Sequence, residues 1–475
     1  MSQAEPTRNT SDEVLATEFT DAYHKEVRYV GQWNKWLTYD GKSWDFDHKL
    51  LVYTHAREHL RAMALKLYEC VFGRLCDDID KNLSAVQRDN AVSEARSKAW
   101  GKTNGMLSTS TVHNIVTLSR YDRRVASGVE EWDTDPWLLN TPGGTVDLHT
   151  GQMRPHRAKD YIRKVTKTSP DLKMQPTKWL AFLTQIMKGD EEMVRYLQKV
   201  FGYCLVGETK EHEMYFAYGT GKNGKGVTLS TVRSLLGGYS MEAAIETFVV
   251  NDTSRHPTEL ADLQGARLVT CGETEEGARW AEARIKLLTG GDPVKARFMR
   301  QDFFEYKPQF KLFLAGNHKP RLSNVDQAIE RRFRLIPFTY TVPPEDRDVD
   351  LEEKLRAEWP AILAWAIDGC LAWQAEGLEP PSAVATATKS YLSQEDALGG
   401  WFTECCIAAE TAFTPTKDLF NSWAEWAREN GEPVGTKRVL ARHLEDREPI
   451  LHISKARRED GMGFKGVELR RPATV

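Results

Sequence analysis

What this chain of 475 residues lacks narrows its options first. It has no cysteine pair at C-x-x-C spacing. Its seven cysteines, Cys70, Cys76, Cys204, Cys271, Cys370, Cys405 and Cys406, are scattered. That excludes a zinc ribbon and a disulfide framework and leaves buried free thiols in a reducing compartment as the expectation. No stretch approaches the roughly 20 consecutive apolar residues of a membrane span. The polar, acidic first residues lack the apolar centre of a signal peptide. A cytoplasmic protein with no membrane partner is expected. Charge of one sign is also missing: 64 Lys and Arg stand against 68 Asp and Glu, a net −4. Any contact with nucleic acid must therefore rest on local basic patches. There is no internal repeat and no low-complexity run.

What is present is ordinary globular composition, 41% hydrophobic and 28% charged, in a chain too long for one core. Residues 1–20 read as a flexible tail, dominated by Ser, Thr, Asp and Glu. The region 21–175 is mixed and mainly helical. It is aromatic-rich at its start (Tyr29, Trp33, Trp36, Trp44) and helical in period from about Leu50 to Met106 through Leu60, Met63, Leu65 and Leu67. Turn signals and short strands follow between Trp137 and His156. Residues 176–205 are helical, with a helix over Trp179–Tyr203 carrying Leu180, Leu183, Ile186 and Met187 on one stripe. The apolar runs Met214–Tyr218, Arg267–Cys271 and Phe310–Ala315 alternate with helices, which predicts a parallel α/β core over 206–340. A helical segment, 341–398, includes a helix at Asp350–Leu371. The last block, 399–475, holds a helix at Thr416–Asn430 burying Leu419, Phe420, Trp423 and Trp426, a basic helix at Thr436–Arg447 and a Gly-rich hairpin at Asp460–Leu469.

The sharpest signal is Gly219-Thr220-Gly221-Lys222-Asn223-Gly224-Lys225, a G-x-x-x-x-G-K loop between an apolar strand and a helix that continues through Gly226, Val227 and Thr228. Glycines let backbone N–H groups turn inward around phosphate oxygens, the helix N-terminus adds its positive end, and Lys225 reaches the β- and γ-phosphates. ATP with Mg²⁺ is the expected ligand. Gly226 stands where Ser or Thr usually donates a hydroxyl to the metal, so Thr228 or a water must take that place.

Such a site also needs acids at a neighbouring strand end. The strand Arg267–Cys271 runs into Gly272-Glu273-Thr274-Glu275-Glu276. Glu273 is assigned to the metal and Glu275 is the candidate activator of water. The strand Phe310–Ala315 ends in Gly316-Asn317-His318, where Asn317 would sense the γ-phosphate. Arg331, Arg332 and Arg334 follow, and an arginine offered across a subunit boundary stabilises charge on the transferring phosphoryl group.

In this order the residues resemble a family. Gly219-x-Gly-x-Asn-Gly-Lys225, Leu263-x-Gly-Ala-Arg267-Leu-Val, Glu273-Thr-Glu275, Ile285-Lys286-Leu-Leu-Thr-Gly-Gly-Asp292, Ala315-Gly-Asn317-His-Lys-Pro320 and Arg331-Arg332-Phe333 look like the superfamily 3 helicase of phage and plasmid primase-helicase proteins. The resemblance implies an α/β AAA+ P-loop motor acting as a ring, usually hexameric and moving 3′ to 5′ on single-stranded DNA. Upstream, Trp137–Gly151 is similar to the helicase-associated segment of these proteins, and 399–475 looks like their winged-helix DNA-binding domain. The resemblance thus labels 21–175 helicase-associated, 176–205 a collar, 206–340 the ATPase, 341–398 a collar or lid and 399–475 a winged helix. Lys225 becomes the Walker A lysine, Glu273 the Walker B acid and Asn317 the first sensor. Arg332 becomes the finger, with Arg331 the alternative because register between adjacent arginines is open.

For gripping DNA, Lys295 and Arg297 would share one face of an extended strand, with Arg300 near its turn. In related rings a hairpin here projects into the channel, where cations hold phosphates and Phe298 stacks on bases or packs beneath the hairpin. Lys286 would support that hairpin or touch DNA. Lys437, Arg438 and Arg442 on one helix, with Lys455, Arg457 and Arg458 before the wing, suit duplex or forked DNA.

Relatives often carry a primase-polymerase domain. The only acidic clusters that resemble its site, Asp45-Phe-Asp47 in a tryptophan-rich loop and Asp77-Asp78-x-Asp80 in a helix, do not form it. The chain reads as a helicase of a phage, prophage or plasmid, acting in a host cytoplasm with a separate primase or polymerase. The rival readings are a DNA-stimulated ATPase that loads or initiates without unwinding, and a small-molecule P-loop kinase, for which the basic hairpin and arginines have no purpose.

Overall fold

Strands buried on both faces of a parallel sheet are nearly continuous apolar runs, and so are Met214–Tyr218 and, Thr270 apart, Leu268–Cys271. In the computed structural model they join a five-stranded sheet ordered Phe333–Pro337, Met214–Tyr218, Lys311–Gly316, Leu268–Cys271, Ser240–Ala243. Every neighbouring pair is parallel. The expected parallel α/β core is present. The structure describes residues 11–250, 258–272, 277–298, 302–322, 325–458 and 461–470. It divides into two units. The first runs to Val146 and resumes over Met153–Val165; the second is Asp147–Gln152 with everything from Thr166 onward.

The first unit packs helices Asp12–Tyr23, Leu51–Asp77, Ala85–Thr103 and Thr109–Ser119 around Leu15, Phe19, Val52, Leu60, Ile115 and Val116. The helical period read from Leu50 to Met106 is in fact two helices. Ser84 starts the second by accepting from Gln87 N, with the Gln87 side chain returning to Ser84 N, a capping box. The acidic clusters are also reassigned. Asp45 lies in the strand Trp44–Phe46, and Asp47 caps the helix that follows, accepting from Leu51 N and Val52 N at 2.7 and 2.9 Å. Asp77 closes its helix and Asp80 lies outside it.

In the second unit, the helix expected over Trp179–Tyr203 is likewise two, Thr177–Ile186 and Glu191–Tyr203. Lys188 and Gly189 take positive φ between them, and Asp190 caps the second helix at Met193 N. The segment Asp350–Leu371 also splits, into Leu351–Ala357 and Trp359–Glu376. Glu358, at that break, receives Lys178 N and Trp179 N at 3.0 Å, satisfying donors at the start of Thr177–Ile186. Helices Glu191–Tyr203 and Trp359–Glu376 cross glycine to glycine: a Cβ on Gly202 would lie 2.1 Å from Cys370 N, and one on Gly369 2.1 Å from Gln198 O. The turn Asp147–Gln152 reaches the same helix, the Leu148 carbonyl accepting from Gln374 Nε2 at 2.8 Å. Lys311, buried at the start of its strand, donates to the carbonyls of Val206 and Glu208 and lies under the Tyr203 ring at 4.5 Å. It anchors the end of the preceding helical pair to the sheet.

The last block folds around Trp401, Leu419, Leu440, Leu444, Phe464 and Val467. Helices Ala397–Cys405, Thr416–Glu429 and Lys437–Asp446 pack with an antiparallel sheet ordered Cys406–Pro415, Gly461–Leu469, Ser454–Arg458. Trp423 is buried as expected, but Trp426 and Phe420 are only partly so, and Trp426 Nε1 donates to Glu404. Cysteine burial is also mixed: Cys204, Cys271, Cys370 and Cys406 are buried free thiols, whereas Cys70 is exposed. Among the described residues no helix is long and apolar enough to cross a membrane.

Candidate nucleotide site and nucleic-acid interface

The loop Gly219–Gly224 leaves the carboxyl end of Met214–Tyr218 and enters the helix Lys225–Leu236. Its shape is fixed from three sides. Asn223 donates its amide to the Phe338 carbonyl at 2.9 Å, and Val342 N donates to Lys222 O at 2.9 Å, tying the loop to the chain after Phe333–Pro337. Gly224 takes φ +83°, and a Cβ there would meet Ile186 Cγ2 at 2.8 Å and Phe182 Cζ at 3.0 Å. The helix Thr177–Ile186 is therefore a wall of the loop.

Lys225 is 6% exposed, and its ammonium donates to Gly219 O at 2.6 Å and Asn317 Oδ1 at 3.1 Å. That contact follows from register, because Tyr218 and Gly316 are directly paired and both strands end at the loop. Gly226 carries no hydroxyl. Thr228 is fully buried and its hydroxyl already donates to Gly224 O at 2.9 Å. The strand Leu268–Cys271 lies beside Lys311–Gly316; Glu273 and Glu275, which follow it, lie outside the described residues. Beside the loop is a cavity of about 730 Å³ lined by Phe182, Gln185, Lys222, Val227, Val342 and Leu351, a volume suited to a small ligand.

The three arginines separate. Arg331 is exposed at the end of helix Gln327–Arg332, with Nε on Gln327 O at 3.2 Å. Arg332 is half-buried, donating to Thr289 Oγ1 at 3.1 Å and Ala328 O at 2.8 Å; burial, then Arg331 beside it, lowers its pKa. Arg334 pairs with Glu213 at 2.6 Å. Burial pushes the Glu213 carboxyl up to about 7, although Arg334 and the Tyr215 hydroxyl pull it down.

A hairpin is present, Val294–Ala296 pairing antiparallel with Phe304–Tyr306. Lys295 is exposed, 3.6 Å from Glu305 across the strands. Arg297, one residue past the strand end, is half-buried over the Phe303 ring at 4.7 Å, on the same side of the hairpin as Lys295 and Glu305. Phe298 stacks on Phe304 at 5.4 Å and packs against the core, the supporting alternative. Arg300 lies outside the described residues. Lys286 pairs with Asp326 at 2.5 Å, a partner that sequence reasoning missed although Asp326 stands at the N-cap of a recognisable helix. In the last block Lys437, Arg438 and Arg442 are exposed on one helix. Lys455 pairs with Glu445 at 2.5 Å, and Arg458 lies over Phe413 at 5.0 Å.

Residues 16–188 match the protein family described as D5 N terminal like, and 217–332 match a family of unknown function, DUF5906. Among curated proteins the chain is similar to "Putative helicase L207/L206" of Acanthamoeba polyphaga mimivirus, 24% identical over 63% of this chain and 34% of that one. It is also similar to "Putative helicase 022R" of Frog virus 3, 27% identical over 59% of this chain and 31% of that one. The chain thus spans about a third of the length of these relatives. Among solved structures, the apo NrS-1 C terminal region (305-718) shares the fold, with TM-score 0.53 and 10% identity over 97% of this chain and 100% of that one. The first part of the chain is thus similar to the D5 N-terminal family and a larger part to proteins named putative helicases of large DNA viruses, while the solved structure shares the fold alone.

Proposed function

We propose that the chain is the motor of an ATP-dependent replicative DNA helicase of the superfamily 3 AAA+ class. The observation that carries this reading is the Lys225 ammonium held between Gly219 O and Asn317 Oδ1 at the ends of adjacent parallel strands. Phosphate oxygens entering the loop compete for the same ammonium, so one lysine binds the triphosphate and reports its presence to Asn317. The base fits the cavity beside Phe182. Mg²⁺ is assigned to Glu273 and activation of water to Glu275. Arg331, the exposed arginine, is favoured over Arg332 as the finger offered to a neighbour in a ring, which the resemblance makes hexameric.

Lys295 and Arg297 at the hairpin, with Arg300 and the exposed cations Lys437, Arg438 and Arg442, contact single-stranded and forked DNA. The order helix, strand, three helices (the last, Glu448–Leu451, a single turn) and a hairpin in the last block supports a winged helix there. The kinship with proteins of large DNA viruses supports a role in replication beside a separate primase or polymerase, with 3′ to 5′ movement as the polarity to test. The deciding experiment is ATP-dependent strand displacement from forked DNA, comparing wild type with Lys225→Ala. Displacement that disappears in the variant supports the helicase. DNA-stimulated hydrolysis without displacement by wild type would transfer the reading to a loader or initiator.

A further inference from the structure

The first unit carries a groove that the motor reading leaves unused. It lies between helices Leu51–Asp77 and Ala85–Thr103, has a volume of about 520 Å³ and is lined by Arg61, Leu65, Tyr68, Arg96, Trp100 and Leu107. Its aromatic rings form a short ladder. Tyr68 stacks on Phe72 at 5.7 Å with planes 10° apart, and Trp100 meets Tyr68 edge-on at 6.5 Å. Arg96 lies 5.9 Å from the Phe72 ring. Trp100 is 53% exposed and Leu65 58%, a large apolar surface for a helical pair to leave in water.

The charge of the lining selects the occupant. Two guanidiniums frame the groove, and among the described residues no carboxylate lines it. An apolar helix from another protein, or from a second copy, would cover both cations without supplying an anion, a costly arrangement. A nucleic-acid strand matches both features, its bases stacking on aromatic faces while its phosphates meet the guanidiniums. We infer that the groove binds a segment of single-stranded DNA, a second contact on the strand that the motor handles. This rests on the reading that the chain acts on DNA.

The test uses the full chain without nucleotide and a labelled oligothymidine of about 20 nucleotides, long enough to reach beyond one contact. Trp100→Ala should weaken binding about tenfold, the loss of roughly one stacked base, and Trp100→Phe should restore most of it. Replacing Arg61 and Arg96 together by Gln should lower the slope of log affinity against log salt by about 1 to 2. Photocrosslinking with 5-iododeoxyuridine should mark Tyr68 or Trp100. Unchanged affinity, with crosslinks only at the hairpin or the last block, overturns the inference. So does a smaller assembly by light scattering in Trp100→Ala with DNA affinity intact, which makes the groove a subunit contact. Wild-type protein that hydrolyses ATP through Lys225 but binds no single strand overturns this inference and leaves the nucleotide site standing. Failure of hydrolysis itself strikes the motor reading instead.

Discussion

Lys286 and Asp326 join two elements that sequence reading treats separately. Their ion pair, 2.5 Å long, links the helix ahead of the hairpin to the helix that carries Arg331 and Arg332. Farther along the same two helices, Arg332 donates to Thr289 at 3.1 Å. A residue expected on DNA and a residue expected at a subunit boundary are thus each bound to the other's helix. Arg447 adds a third element, pairing with Asp396 at 2.6 Å and donating to the Val325 carbonyl. The arginine helix is therefore tied by side chains to the helix that runs into the hairpin.

The first prediction concerns this link. Lys286→Ala should leave hydrolysis without DNA close to wild type and reduce its stimulation by DNA. Asp326→Asn keeps a capping side chain and removes the charge. A double-mutant cycle between the two should give a coupling of about 1 kcal/mol or less, because the pair is partly exposed. Additive effects on stability and on DNA stimulation would show that the pair is incidental.

Gly224→Ala should disable the nucleotide loop. The left-handed conformation alone costs about 1–2 kcal/mol for a residue with a Cβ, and the contacts with Ile186 and Phe182 add to it. The expected result is loss of ATP binding by calorimetry with the fold retained by circular dichroism. Normal affinity would mean that the helix Thr177–Ile186 yields freely.

Glu213 predicts a pH effect. Its carboxyl titrates near 7 in the folded protein against an ordinary 4.5, burial being the main cause, with Arg334, Tyr215 and Glu211 around it. Between those values the unfolded chain has released its proton while the folded one still holds it. This group's contribution to stability is therefore present at low pH and is lost as pH rises toward 7. The melting temperature of wild type minus that of Glu213→Gln should be larger at about pH 5 than at about pH 8. A difference that grows with pH would mean Arg334 holds the carboxylate ionised.

Lys311→Met should destabilise the protein by about 3 kcal/mol, since it leaves the carbonyls of Val206 and Glu208 buried without their donor. Chemical denaturation measures the loss. A neutral outcome would show that water or a shift of the chain replaces the ammonium.

The strand–loop–helix around Gly219–Lys225 was legible because its signal is local: glycines, lysine, strand and helix lie within one short run. Parallel core strands were legible for the same reason, as continuous apolar runs bounded by turns. The order of those strands was not, because register between Tyr218 and Gly316 depends on chain far apart. The partner of Lys286 was not legible for a related reason, since it lies 40 residues away. The breaks at Lys188-Gly189 and Ser84 carried ordinary local signals, a glycine and a capping serine, which an unbroken apolar period masked. Thr228 shows the opposite limit. Spacing offers it as a metal ligand, whereas within a helix its hydroxyl returns to the carbonyl four residues back.

The turn Asp147–Gln152 has a bearing on inheritance. It belongs to the second unit although the first resumes at Met153, so neither unit is one uninterrupted stretch of chain. A single crossover between related genes cannot exchange either unit without carrying a piece of the other. A chimaera that imports the first 165 residues also imports the turn, whose Leu148 carbonyl must meet the resident Gln374 and whose Gly151 must fit beside Leu371. Recombinants should survive where donor and recipient agree at that seam, which makes these residues the place to match first when grafting a new front half onto the second unit.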